Sequence, residues 1–279
     1  MKQKILSIKG KQKGEIKLPL QFEEQIRPDL IKRAVLAIYS HKRQNYGADP
    51  EAGKKHSSYV SKRRRDYKTS YGYGISRVAR KIMSRRGTRF NWVGTKSPQT
   101  VGGRRAHPPK PEKKWAQKLN KKERKKAIRS ALSASVNKEW VIKRGHIVKD
   151  YPLIVEDSLE KISKTKDALE LMEKLGLEKE LERVKERKIR AGRGKLRGRK
   201  YKSKKGPLFV VSEKCNFIDA IKNIPGVDAA IVRNLNAELL APGTYCARLV
   251  IFSQKAINEI AGKQLFTEKT LKKKTKNKK

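Results

Sequence analysis

Leu208-Phe-Val-Val211, then Phe217-Ile-Asp-Ala-Ile-Lys-Asn-Ile224, then Pro225-Gly226 and Val227-Asp-Ala-Ala-Ile-Val232 make the stretch that decides the fold. The first run is four apolar residues, enough for a buried strand and too few for a helix. The second has helical spacing and is halted by Pro225-Gly226. The third reads as another strand. Strands alternating with helices imply an α/β architecture with a mostly parallel sheet covered on both faces.

The alternation continues on either side. Residues 248–252 read as a strand, and Ser253 is placed to cap a last helix carrying Ala256, Ile257 and Ile260 before Gly262. Upstream, Leu153–Val155 is a short apolar run. Residues 165–176 are helical in pattern, with Ala168, Leu171, Met172 and Leu175 on one side and Gly176 as the stop. Asn120 and Glu123 resemble a capping box. The helix they open buries Ile128, Ala131, Leu132 and Val136, and its exposed side is expected to carry Lys121, Lys122, Arg124, Lys125, Lys126 and Arg129. Near the N-terminus, 4–8 and 15–18 read as strands around the turn residues Gly10 and Gly14. A helix then starts at Pro28, with Asp29 in its first turn and Leu30, Ile31, Ala34, Val35 and Ile38 on one face.

Residues 41–111 break this order. They hold 19 Lys and Arg against Asp49, Glu51 and Asp66, with eight glycines, five prolines and no leucine. Such a segment cannot build an apolar core, and is expected to be disordered in the free protein. Folded back as a hairpin, it reaches at most about 115 Å at ~3.3 Å per residue. Tyr59, Tyr67, Tyr71, Tyr73, Phe90 and Trp92 are interleaved with the cations, as in surfaces that stack on unpaired bases. A solvated segment whose rings do nothing is the rival reading.

Over 279 residues the chain carries 72 Lys and Arg against 27 Asp and Glu, a formal charge of +45. That excess disfavours a compact state unless a polyanion neutralises it, with nucleic acid the leading choice and an anionic membrane surface the weaker alternative. Ten of the acids fall between Glu156 and Glu186, a stretch expected to face solvent or another protein. No apolar run approaches the ~20 residues of a bilayer span. The two cysteines, Cys215 and Cys246, provide no disulfide framework, and Cys246 reads as a small core filler between strand residues. His41, His56, His107 and His146 form no ligand pair. No metal, cofactor or membrane is expected.

Gly192-Arg-Gly-Lys-Leu-Arg-Gly198 invites a dinucleotide-loop reading, but its spacing is one residue too long and it precedes a strand. Eleven of the 19 residues from 187 to 205 are basic and none is acidic. Contact with RNA phosphates explains this better, with a solvated loop as the alternative.

Ordered motifs along almost the whole chain then point to a family. They include Ile26-Arg-Pro-Asp-Leu-Ile31, Arg77-Val-Ala-Arg80, Gly102-Gly-Arg-Arg-Ala-His-Pro-Pro-Lys110, Ala127-Ile-Arg-Ser-Ala-Leu132 and Arg144-Gly-His146. Further on come Pro152-Leu-Ile-Val-Glu-Asp157, Arg190-Ala-Gly-Arg-Gly-Lys-Leu-Arg-Gly198, Asn223-Ile-Pro-Gly226 and Leu240-Ala-Pro-Gly243. The sequence resembles the large-subunit ribosomal proteins of the universal "L-four" family in their archaeal–eukaryotic form. The compact form of 102–110 and the short tail resemble archaeal members.

The resemblance implies a cytoplasmic, structural, non-enzymatic protein of the large ribosomal subunit. Its expected partners are large-subunit rRNA, neighbouring ribosomal proteins and the nascent polypeptide. It implies an α/β globular domain from 1–40 and 112–262, an extended basic loop at 41–111 reaching the wall of the peptide exit tunnel, and a basic C-terminal tail at 263–279. Expected rRNA contacts are Lys54, Lys55, Arg63, Arg64, Arg65, Arg89, Arg104, Arg105, Lys110, Lys122, Arg193, Lys195, Arg197 and Arg199. Expected tunnel-wall residues are Gly74, Arg77, Arg80, Arg85 and Arg86, with Arg77 and Arg80 foremost. Residues 70–86 run about two residues longer than the eukaryotic pattern, so the tip does not transfer position by position. Two rival functions are a DNA-compacting protein, which does not explain a 71-residue insertion, and a nucleotide-dependent RNA-modifying enzyme, which lacks its Gly-rich turn and catalytic cluster.

Overall fold

A computed structural model describes residues 1–267. The expected basic tail, from residue 268 onward, lies outside the described residues.

In chain order, β1 (Lys2–Leu6) and β2 (Gln12–Lys17) form an antiparallel hairpin, so Gly14 lies within a strand rather than in the turn. Helix α1 follows (Pro28–Lys42), then β3 (Arg80–Arg86), β4 (Arg89–Gly94), α2 (Lys121–Val136) and α3 (Lys138–Lys143). Next come β5 (Leu153–Val155), α4 (Thr165–Lys174), α5 (Glu178–Lys185), β6 (Arg187–Ile189) and β7 (Tyr201–Ser203). The chain continues through β8 (Leu208–Val211), α6 (Asn216–Ile221), β9 (Asp228–Ile231), α7 (Ala237–Leu240), β10 (Val250–Ser253) and α8 (Gln254–Gly262). The two hairpins β3–β4 and β6–β7 have no counterpart in the apolar pattern, because neither buries a face in the core.

Two compact units emerge, one from Met1–His41 with the chain from Ala116 onward, the other from Lys42–Trp115. The first holds a six-stranded sheet in the order β2-β1-β5-β10-β8-β9, parallel throughout except for the β1–β2 pair. Alternation along the central strands divides the core. Ile154, Leu208, Val210, Val250 and Phe252 pack with α1, α2, α7 and α8. Leu153, Val155, Phe209, Val211 and Ile251 pack with α3, α4, α5 and α6. A strand buried on both faces needs apolar residues at every position, which is why these strands read as continuous runs.

Local punctuation follows the side chains. Ser253 Oγ accepts from the Ala256 N–H, and the Glu123 side chain accepts from the Asn120 N–H at 3.4 Å. Gly176 takes φ +73° just past α4, where a side chain would be strained. Cys246 lies in an irregular segment before β10, half-buried against both core clusters, and not between strand residues.

The second unit has no apolar core. Its buried residues are Ser61, Ser70 and Thr95. Rings and cations hold it instead. Phe90 stacks on Trp92 with centroids 5.7 Å apart, Tyr67 meets Phe90 edge-on, and Arg80 lies over Trp92. Where the two chain segments of this unit approach, glycines make room. A Cβ on Gly47 would lie 2.2 Å from Pro111, and one on Gly53 would lie 2.6 Å from the Arg104 backbone.

Candidate nucleic-acid interface

The glycine-rich segment ending at Gly198 is part of a hairpin. β6 and β7 pair antiparallel, with Arg187 opposite Ser203, and a helical turn over Arg193–Arg197 closes them. Gly192 (φ +76°) and Gly198 (φ +75°) bracket that turn, so the chain enters and leaves it through conformations that cost glycine little. The Arg190 guanidinium donates to the Arg199 carbonyl at 3.0 Å and holds the neck. Arg193, Lys195, Arg197 and Arg199 are all exposed, as is Leu196. Four unshielded cations within seven residues create a strong local field for a polyanion.

Within the Lys42–Trp115 unit, a short loop displays Arg63, Arg64 and Arg65, all exposed. It is closed by a bridge between Ser61 and Thr69, by Ser61 Oγ donating to Asp66 (2.9 Å), and by Thr69 Oγ1 donating to the Arg63 carbonyl (2.7 Å). Lys55 pairs with Asp49 at 2.5 Å and holds that carboxyl below its ordinary range. Lys54, Arg104, Arg105 and Lys110 line one open cavity of about 850 Å³. Chain closure therefore groups cations some fifty residues apart, as the sequence alone cannot show.

The β3–β4 hairpin separates the tip candidates. Arg80, Ile82 and Arg85 stand opposite Gly94, Trp92 and Phe90, on the ring-covered face. Arg80 also donates to Ser76 Oγ and the Val78 carbonyl, and Arg85 to the Tyr67 hydroxyl. Arg86 pairs across from Arg89 on the other face, and both are exposed. Arg77 is exposed and lies 4.3 Å over the Tyr71 ring, and Gly74 is exposed at φ +64°.

On the first unit, Lys122 shares a shallow recess with Arg27, Arg33 and Lys126. Arg27 pairs with Asp29 at 2.8 Å and Arg33 with Glu123 at 3.4 Å. Sequence reasoning singles out Lys122 but not Arg27 or Arg33. A signal for both exists, since Arg27 directly precedes Pro28 and Arg33 lies off the apolar stripe of α1.

Other basic residues turn inward. Arg129 is buried rather than exposed, donating to Glu24 (2.7 Å) and to the Phe266 carbonyl (2.8 Å). Arg144 donates to the carbonyls of Pro242 (2.7 Å), Cys246 (3.2 Å) and Tyr245, and burial together with nearby Arg248 lowers its pKa to about 10. Arg248 is 1% exposed and donates to Asp228 at 2.6 Å and to the Gly206 carbonyl at 2.8 Å. Glu180, within the acidic stretch expected at the surface, is fully buried against His146 and Arg183. The Arg144-Gly-His146 motif is therefore architectural. Hydropathy assigns such residues to the surface because it registers their charge and not their partners.

Residues 16–263 match the model of the ribosomal protein L4/L1 family. The chain is 54% identical over 263 residues to the large ribosomal subunit protein uL4 of Nanoarchaeum equitans, covering 94% of this chain and 98% of that one. It is 46% identical over 259 residues to the uL4 protein of Archaeoglobus fulgidus, covering 92% and 97%. With the uL4 protein of Methanocaldococcus jannaschii it shares 43% over 263 residues, covering 93% and 98%.

Proposed function

The chain belongs to the ribosomal protein L4/L1 family, and from that premise we propose that its exposed cations bind large-subunit rRNA and that the tip of its basic insertion lines the peptide exit tunnel. It is a structural, non-enzymatic constituent of the large ribosomal subunit in the cytoplasm.

One observation carries the RNA reading. The cations that burial and ion pairing leave open are grouped in sets, at 63–65, at 193–199 and around the cavity lined by Lys54, Arg104, Arg105 and Lys110. Arg129, Arg144 and Arg248 are consumed inside the fold. Phosphate binding by the open sets releases counterions and offsets the self-repulsion of a +45 chain. The Lys42–Trp115 unit buries only Ser61, Ser70 and Thr95, so packing between RNA helices supplies the burial it lacks. For the tunnel, the support is the family together with the insertion's length, and the wall segment is 74–86. Neighbouring ribosomal proteins and the nascent chain complete the partners, the exposed acids of α4 and α5 offering a surface to a basic neighbour.

The test is salt dependence. Replacing Arg193, Lys195 and Arg197 by Ala should reduce the slope of log affinity for large-subunit rRNA against log salt by about 2–3, at roughly 0.7–0.9 per lost contact. An unchanged slope would return this hairpin to solvent.

A further inference from the structure

A second cavity in the Lys42–Trp115 unit, of about 630 Å³, is built differently from the rest of the basic surface. One wall is aromatic, with Tyr46 and Trp115 stacked at 5.8 Å and 21°. Another is Pro108-Pro109, rigid and apolar. Three cations line it, Arg105, Lys110 and Lys113, against one acid, Glu112. The Trp115 ring is already covered by cations, with Arg43 at 3.7 Å and Lys113 at 4.4 Å. Tyr46 keeps 53% of its surface exposed. The indole N–H of Trp115 is buried and donates to nothing among the described residues.

A concave site of this volume falls in the roughly 300–1,000 Å³ range of small-ligand pockets. Its chemistry asks for a flat ring joined to an anion. A base within a duplex is stacked on both sides and cannot enter, whereas an unpaired one can be splayed out and stacked on a tyrosine. We propose that this cavity takes one unpaired nucleotide of an RNA strand, its base on Tyr46 and its phosphate among Arg105, Lys110 and Lys113. The proposal rests on the rRNA reading and adds the chemical unit bound. Trp115 is a positioning residue. Its ring, clamped under Arg43, sets the plane of Tyr46.

The test uses the full chain with Trp92→Phe and Trp140→Phe, which leaves Trp115 as the one tryptophan. Four probes are titrated: a 12-nucleotide single-stranded RNA, an RNA duplex of that length, a mononucleotide and a polyglutamate. The single strand should quench Trp115 fluorescence, while the duplex binds without quenching. Tyr46→Ala should weaken single-strand binding roughly ten- to a hundredfold, the scale of one lost base stack. Tyr46→Phe should bind as the parent does, and neither variant should change the salt slope. Quenching by the duplex or by polyglutamate equal to that by the single strand overturns the proposal. So does Tyr46→Ala affinity within twofold of the parent, and so does a mononucleotide bound as tightly as the strand. Loss of salt-dependent binding to both RNAs by the parent protein would instead overturn the rRNA reading itself.

Discussion

Nδ1 of His146 lies 2.6 Å from Oε1 of Glu180, with both side chains enclosed. A carboxylate only accepts, so the imidazole donates from Nδ1. Glu180 also receives both Nε (2.8 Å) and Nη2 (2.6 Å) of Arg183 and the Ile147 N–H (3.0 Å). Burial pushes His146 below its ordinary 6.5 despite the carboxylate beside it. Burial acts to raise Glu180, but the hydrogen bonds from Arg183, His146 and Ile147 outweigh it and hold the carboxyl below 4.5.

These shifts set a pH dependence of stability. His146 has a lower pKa folded than unfolded, so the unfolded chain takes up the proton first and stability falls as pH drops below 6.5. A further loss follows below 4.5, from Glu180 and from Glu156, which hydrogen bonds from the Lys13 ammonium and the Ile8 N–H hold at about 2. Urea midpoints of the first unit's transition should decline from pH 7 to pH 5, and His146→Gln should flatten that decline. Glu180→Ala should cost about 3–5 kcal/mol at pH 7 by leaving buried partners unpaired. Midpoints constant from pH 7 to pH 5 in the parent protein would refute the assignment.

Limited trypsin digestion should begin within 42–115. That unit offers many Lys and Arg sites and buries only three polar residues, so local opening costs little there. The first unit should be cut later, and first at its exposed hairpin over 187–205. Early cleavage spread evenly over both units would contradict this.

Gly103→Ala should weaken RNA binding while leaving the melting of the first unit unchanged. The added Cβ would lie 2.0 Å from the Ser97 carbonyl and 2.6 Å from Thr100 Oγ1, so backbone beside Arg104 must move. Overpacking of this kind costs about 1–3 kcal/mol. Gly14→Ala, with open space around it, is the control and should change neither quantity.

The tunnel proposal is tested by crosslinking. In a Cys215→Ser, Cys246→Ala background, single cysteines at Arg77, Arg80 or Arg86 should react with a nascent-chain cysteine only once it has entered the tunnel partway. Arg86 should react more strongly than Arg80, because Arg80 lies over Trp92 while Arg86 is on the opposite face of the hairpin. Reaction confined to emerged chains, or absent at all three positions, would place the tip elsewhere.

The central strands of the sheet are legible in the amino-acid sequence alone. Leu153–Val155 and Leu208–Val211 are strands at the expected residues, and Pro28, Asn120, Ser253 and Gly176 punctuate helices as their chemistry requires. Periodicity and capping are local, recorded within a few residues of where they act. The ordered motifs likewise point to the large-subunit ribosomal family that the chain matches.

Tertiary structure decided the pairings. Arg144 with Pro242, His146 with Glu180, Lys54 with Arg104 and Tyr46 with Trp115 are separated by 34 to 98 residues. A buried Arg or Glu has the same local signature as an exposed one, and only its distant partner shows that it is buried. The aromatic cavity escapes sequence reasoning for the same reason. Tyr46 and Trp115 stand at opposite ends of a segment that has no apolar period, and chain closure alone brings them together. Local sequence specifies which faces are apolar. It cannot specify which cation is spent inside the fold and which is left exposed, because that depends on contacts made only when the sheet and its helices close.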